Sequence, residues 1–206
     1  MAKHYEPMWQ DVGTHAAGHL GLAGTALAIA LAAGLPLGIL AGQVGAARTV
    51  VLALASIGRT LPSLAVLMLL LPLLGVGTVP AVVALALLAV PPIVIAVDLG
   101  IRGVPSSALD AAAGIGMTGA QRFARVVAPL ALPVSFSGVR TAATETIASA
   151  TLATFIGAGG LGDDIVRGLQ TNDSAFLFAG AGAVALLALG VEAALGRVAR
   201  AIEARV

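Results

Sequence analysis

Apolar runs long enough to cross a lipid bilayer fill most of this chain, and they constrain its fold more than any other feature. A helical crossing takes about 20 mostly apolar residues. Five segments qualify: residues 18–43, 49–74, 79–99, 132–156 and 175–195. In hydrocarbon the backbone must satisfy its own hydrogen bonds, so such segments are expected to be helices. The expected fold is therefore all-α: a single polytopic membrane helical bundle over residues 1–206, with about five transmembrane helices. Arg59 and Pro62 interrupt the second segment, which reads either as one span or as a short interfacial helix and a shorter span. Six crossings stay open.

Composition agrees with the bilayer. Charged residues make up 10% of the chain, against about 25% in a soluble domain, too few to cover a water-facing surface. Aromatics are 3% and glycines number 26, so the apolar content is mostly small and aliphatic. Small residues let membrane helices approach closely. The absence of cysteine excludes disulfides, a thiol nucleophile and Cys-ligated metal. A net charge of +1 gives no footing for a nucleic-acid partner. The first run is expected to be an anchor and not a cleaved signal peptide, because Glu6 and Asp11 precede it where a basic cluster would stand.

Lys and Arg set the orientation. With five spans, Arg48, Arg102, Arg122, Arg125, Arg197, Arg200 and Arg205 fall on one side, and Lys3 and Arg167 on the other. That bias predicts a multi-pass protein of the bacterial inner membrane with its N-terminus outside and its C-terminus in the cytoplasm. Residues 108–133 are then cytoplasmic.

There the oil stops, and Asp110, Gln121, Arg122 and Arg125 appear among small residues. Pro105 stops the preceding helix. Ser107 with Asp110, and Thr118 with Gln121, have the spacing of capping boxes, each starting a short helix. Gly114 and Gly116 break the chain between the two helices, and Pro129 is expected to close the second. Phe123, Val126 and Val127 give that helix an apolar face, and Arg122 and Arg125 a basic one. Such a protrusion suits a groove on a soluble partner.

These residues resemble the cytoplasmic motif of ABC-importer permeases: Glu-Ala-Ala, three residues, Gly, nine residues, Ile-x-Leu-Pro. Here Asp110, Ala111 and Ala112 are followed at that spacing by Gly116, then Val126, Val127, Ala128 and Pro129. Asp stands for Glu, Val for Ile and Ala for Leu. Residues 59–85 and 150–169 are similar to permeases for glycine betaine, choline, carnitine and proline, and more weakly to methionine permeases. The likeness covers about residues 18–195. One departure is that Val94, Ile95 and Ala96 follow Pro92 and Ile93, where the osmoprotectant group often has Arg-Asn-Thr.

The resemblance implies that residues 108–129 form a coupling loop seated on an ATPase, with Asp110, Ala111, Ala112, Gly114, Gly116, Arg122, Arg125 and Pro129 as its functional residues. It implies a transport subunit that is not itself an enzyme. Expected partners are a second permease (a copy or a paired subunit), two ABC ATPase subunits that bind ATP and Mg, an external solute-binding protein, and lipid. Another small solute, or transport without ATP, are the alternatives.

Residues 157–162, GAGGLG, match a dinucleotide fingerprint but lack the preceding strand that motif needs. A tight turn is expected, with Asp163 and Asp164 at the start of the next helix. The only lysine is Lys3, so no phosphate-binding loop of the Walker type is present, and no cofactor is expected on this chain. His4, His15 and His19 read as solvated or interfacial, because a metal would want a more complete ligand set; no metal is expected.

Charges inside a span are functional hypotheses by default. Arg140 lies about 10 Å along the helix from Pro133, within reach of the cytoplasm by snorkelling. Thr141, Glu145 and Ser149 are spaced by four and share one expected face. That face lines the translocation path or a subunit interface, or is buried against neighbouring helices. Pro36, Pro62, Pro72, Pro91 and Pro92 interrupt three spans; Pro62, Pro91 and Pro92 are candidates for a gate, with static packing as the other reading.

Overall fold

A computed structural model describes the backbone of residues 6–205 and the side chains of residues 12–205. Lys3 and His4, and the side chains of Glu6 and Asp11, lie outside the described residues. The described residues form helices and no strand. In chain order they are α1 (Glu6–Gln43), α2 (Gly45–Thr60), α3 (Ser63–Leu74), α4 (Thr78–Arg102), α5 (Ser106–Gly114) and α6 (Gly119–Arg122). A π-helical turn (Phe123–Val127) leads into α7 (Ala128–Ala150), and a 3₁₀ turn (Thr151–Ile156) follows it. The last two are α8 (Leu161–Thr171) and α9 (Ser174–Glu203).

Four segments are long and apolar enough to cross a bilayer: Val12–Gln43, Thr78–Arg102, Gly119–Ile156 and Ser174–Glu203. The pair α2 and α3 makes a fifth when counted as one broken span. The break falls where Pro62 was expected to place it. Pro62 sits in extended backbone (φ −62°, ψ 129°) before the first residue of α3, and its ring disfavours helix at Leu61 before it, so α2 ends at Thr60.

The chain divides into two compact units. The first comprises Met1–Ala30, Thr60–Ala89 and Ala143–Ala193. Its core is built from Leu22, Ala26, Leu67, Leu85, Ile147 and Ile156, all buried. Ala26, Ala84, Ala150 and Ala153 are fully covered, so helices meet here through small side chains, as packing in lipid favours.

The second unit comprises Leu31–Arg59, Val90–Ala142 and Ala194–Val206. Gly34, Gly38 and Gly42 recur every fourth residue and present one bare stripe of α1. Ile93, Val97 and Ile101 of α4, also four apart, fill it. A Cβ on Gly38 would lie 2.6 Å from Val97 Cβ, and one on Gly42 would lie 2.9 Å from Ile101 Cβ. This is close helix approach of the Gly-xxx-Gly kind.

Basic residues separate with the units. Among the described residues, Arg48, Arg59, Arg102, Arg122, Arg125, Arg140, Arg197, Arg200 and Arg205 belong to the second, and Arg167 to the first. Arg48 of α2 holds Asp98 of α4: Nε donates to Oδ1 at 3.0 Å and Nη2 to Oδ2 at 3.3 Å. The Asp98 side chain is 6% exposed, so its charge has left water and depends on that guanidinium. The Arg48 side chain is 39% exposed, so the pair is part-buried and its loss costs less than that of a fully buried pair, about 2 kcal/mol. Arg48→Ala should lower the unfolding midpoint in detergent accordingly. Adding Asp98→Asn, which removes the stranded charge, should recover more than half of the loss; equal midpoints for Arg48→Ala and wild type would refute the dependence.

Candidate functional site

The segment between α4 and α7 begins with a stop. Pro105 (φ −58°, ψ 133°) takes the cap position of α5, and no side chain caps that helix. The Ser107–Asp110 capping box is therefore a correction: α5 starts at Ser106, so Ser107 already lies inside the first turn. Asp110 is exposed and Ala112 is buried. Gly114 is the last helical residue, and the break itself is made by Gly116, at φ +80°. There the left-handed backbone favours a residue without Cβ. Ile115 between them is 75% exposed. Sequence reading passed over this apolar knob at the tip; its position between two glycines was the available signal.

The second capping box forms as expected. Thr118 Oγ1 accepts from the Gln121 amide at 3.3 Å, and the Thr118 amide donates to Gln121 Oε1 at 2.9 Å. Pro129 does not close the helix it follows, a second correction. The chain runs from α6 through the π-helical turn into α7, with Pro129 the second residue of α7. Proline lacks an N–H and its ring crowds the carbonyl four residues back. The wider π turn directly before it, in which the Ala128 amide bonds to the Phe123 carbonyl, makes room for the ring without ending the helix.

Within the second unit these pieces enclose an open cavity of about 670 Å³, lined among others by Gln43, Arg102, Leu109, Asp110, Arg122 and Phe123. Asp110 and Arg122, twelve positions apart in sequence, thus share one surface. Arg125 is exposed, Ala111 is exposed, and neither lines the cavity.

On α7, Arg140 is half-buried and Gly196 lies near its guanidinium: a Cβ there would be 3.6 Å from Nη2. Thr141 and Glu145 are exposed, whereas Ser149 is half-buried. The exposed stripe continues through Ala148 instead. The reason is helical pitch: at about 100° per residue, seven steps return within about 20° of the start and eight overshoot to about 80°. Pro91 and Pro92 are buried in α4, and a Cβ on Gly58 would lie 2.9 Å from Pro91 Cγ. Pro62 is exposed.

Residues 157–162 form the expected tight turn. Gly157, Gly159 and Gly160 have φ of 73°, 77° and 94°, and Asp163 and Asp164 occupy the first turn of α8. His19 is a correction to the solvated reading, whereas the His15 side chain remains 34% exposed. His19 is fully buried and its Nε2 donates to the Ile147 carbonyl at 2.9 Å. His15 Nδ1 donates to Oδ2 of the fully buried Asp164 at 2.9 Å. The spacing of His15 and His19 put both on one face of α1, but nothing local named a partner 149 positions away.

The fold and these sites define a class: a multi-pass helical membrane protein with a short helical loop and polar groups within its spans. The chain belongs to the family of binding-protein-dependent transport system inner membrane components, whose pattern matches residues 34–206. It is a permease component of the inner membrane and a transport subunit. It is 40% identical to the carnitine transport permease protein OpuCB of Listeria monocytogenes, over 87% of this chain and 82% of that protein. It is 43% identical to the osmoprotectant import permease protein OsmY of Salmonella typhimurium, over 83% of this chain and 73% of that one. Among solved structures, an inward-facing form of the MetNI methionine ABC transporter superposes with a TM-score of 0.84 at 23% identity, covering 96% of this chain and 98% of that one. That likeness concerns the fold.

Proposed function

We propose that the chain is the permease subunit of an ATP-driven importer for small osmolytes of the carnitine, choline, glycine betaine or proline class. The observation that carries the reading is the loop after α4. Asp110, Ala111 and Ala112 lie on a short helix, Gly116 turns the chain, and the Thr118 cap starts the rod that becomes α7. This loop sits in a chain about 40% identical to permeases named for carnitine, choline and glycine betaine. Two permease subunits pair, and two ATPase subunits bind ATP and Mg against residues 108–129. The N-terminus is outside and the C-terminus cytoplasmic. Closure of the ATPase pair pushes α5 and the start of the following helix, and the spans shift between two populations, one open to each side. An external binding protein delivers the solute. Arg140, Thr141, Glu145 and Ser149 lie on or beside the path, and Pro62, Pro91 and Pro92 are where the spans bend.

Purification of the tagged chain from its native membrane in mild detergent should bring down an ATPase. The reconstituted complex should accumulate labelled carnitine, choline or glycine betaine only with ATP and the binding protein. Uptake by the chain alone without ATP would move the assignment to a secondary transporter.

A further inference from the structure

The charged groups within the spans are not held alike. Asp98 is buried against Arg48, and Arg140 and Glu192 are each engaged by another residue. Glu145 is exposed on the side of α7, and none of the described residues gives its carboxylate a hydrogen bond or an ion pair. It is the 27th residue of the 38-residue span Gly119–Ile156. Lipid does not suit such a group. Exposed faces built for lipid look different in the same unit: Leu69, Leu73, Leu186 and Leu189 are 65–72% exposed and purely aliphatic.

One turn earlier on α7, Thr141 donates its hydroxyl to the Ser137 carbonyl, and further along Thr151 donates to the Ala148 carbonyl. With their protons used inside the helix, neither of these hydroxyls donates to the Glu145 carboxylate. A face with one unpaired negative charge repels anions. It attracts a cation without N–H groups by charge and by C–H···O contact.

We propose that the Glu145 face of α7 is wetted in the assembled transporter, and that its carboxylate attracts the quaternary ammonium head of the passing solute. This rests on the permease reading and adds the group that selects charge within the membrane.

The cysteine-free chain suits a direct test. A single cysteine at Ala148, three residues on and about 4.5 Å along the axis, is placed in the complete complex in membranes. It is treated with a methanethiosulfonate carrying trimethylammonium, or with one carrying sulfonate. Rates are divided by those for a free small thiol. The cationic reagent should react about tenfold faster, as expected for a narrow path of one sign of charge. Glu145→Gln should bring the ratio close to one, and Glu145→Asp should keep it. Leu186→Cys, on a lipid-type face, should react with neither.

Three outcomes overturn the proposal. No reaction at position 148 makes the face dry, and a disulfide between copies on oxidation identifies a second subunit as its cover. Reaction with no charge preference removes the carboxylate from selection. Persistence of the preference in both Glu145→Gln and an Arg140→Gln control assigns it to other groups. Labelling does not require uptake, so an Ala148→Cys complex that labels as expected, while the wild-type complex imports no quaternary ammonium solute, sinks the permease reading and leaves only a wetted, cation-preferring face.

Discussion

Alanine in place of Gly138 will destabilise the chain by about 3 kcal/mol, the upper range for overpacking a filled site. A methyl there would fall against Ala96 Cβ and lie 2.6 Å from the Pro92 carbonyl oxygen. The second of these is backbone, in the interior of α4, and cannot rotate away as a side-chain tip can. The two helices would have to part, and the contact at Gly100 would open with them, since a Cβ on Gly100 would lie 2.6 Å from the Ala131 carbonyl oxygen of α7. Gly182→Ala is the control. It lies within α9 and a Cβ there meets nothing within 4 Å, so better helix propensity should leave stability equal or slightly higher. Thermal unfolding in detergent compares the two. If Gly138→Ala melts with the wild type, the close approach of α4 and α7 is wrong.

That pairing of glycines with small partners shows where sequence reading ends. The spans were legible because bilayer thickness and backbone desolvation leave a single answer for long apolar runs. The break at Pro62 was legible because a proline acts on its own neighbours. The Thr118–Gln121 cap was legible for the same reason: both hydrogen bonds close within one turn. Ser107 failed as a cap because its motif competed with Pro105 for the same boundary, and Pro105 prevailed. Pro129 failed as a terminator because a single wide turn absorbs a proline, and no residue type announces such a turn.

Side-chain partners were less legible than elements. Glu145 drew notice as a charge in a span, and its face is close to the one expected, shifted from Ser149 to Ala148 by pitch. His19 was misplaced, and the partners of both His15 and His19 were not foreseen, because their environment comes from α7 and α8, more than a hundred positions downstream. Polarity alone cannot say whether an imidazole near a helix start meets water or a buried carboxylate. The Arg48–Asp98 pair is of the same kind: two charges in separate runs, joined only when α2 lies beside α4.

Two glycines two positions apart give the sharpest test of the coupling loop. Gly116→Ala and Gly116→Glu will reduce ATP-driven uptake at least tenfold, while Gly114→Ala will retain it. Neither position is crowded: a Cβ on either meets nothing within 4 Å. They differ in backbone. Gly116 is held at φ +80°, where an L-residue with Cβ is strained by about 1–2 kcal/mol. Gly114 ends α5 at an ordinary helical position, where alanine is the better helix former. Relief of the strain at 116 would swing Ile115, the exposed apolar tip, and re-aim α5 relative to the capped start of α6. The ATPase would still bind and hydrolyse, but its motion would no longer reach α7. The expected signature is therefore uncoupling: normal insertion, normal co-purification of the ATPase, ATP hydrolysis within about twofold of wild type, and little uptake. The strain at 116 is small beside the packing energy of the spans, so a failure to insert would point to a structural role for this turn. Equal uptake by the Gly114 and Gly116 variants would show that the left-handed turn does not set the loop's function, whichever partner it meets.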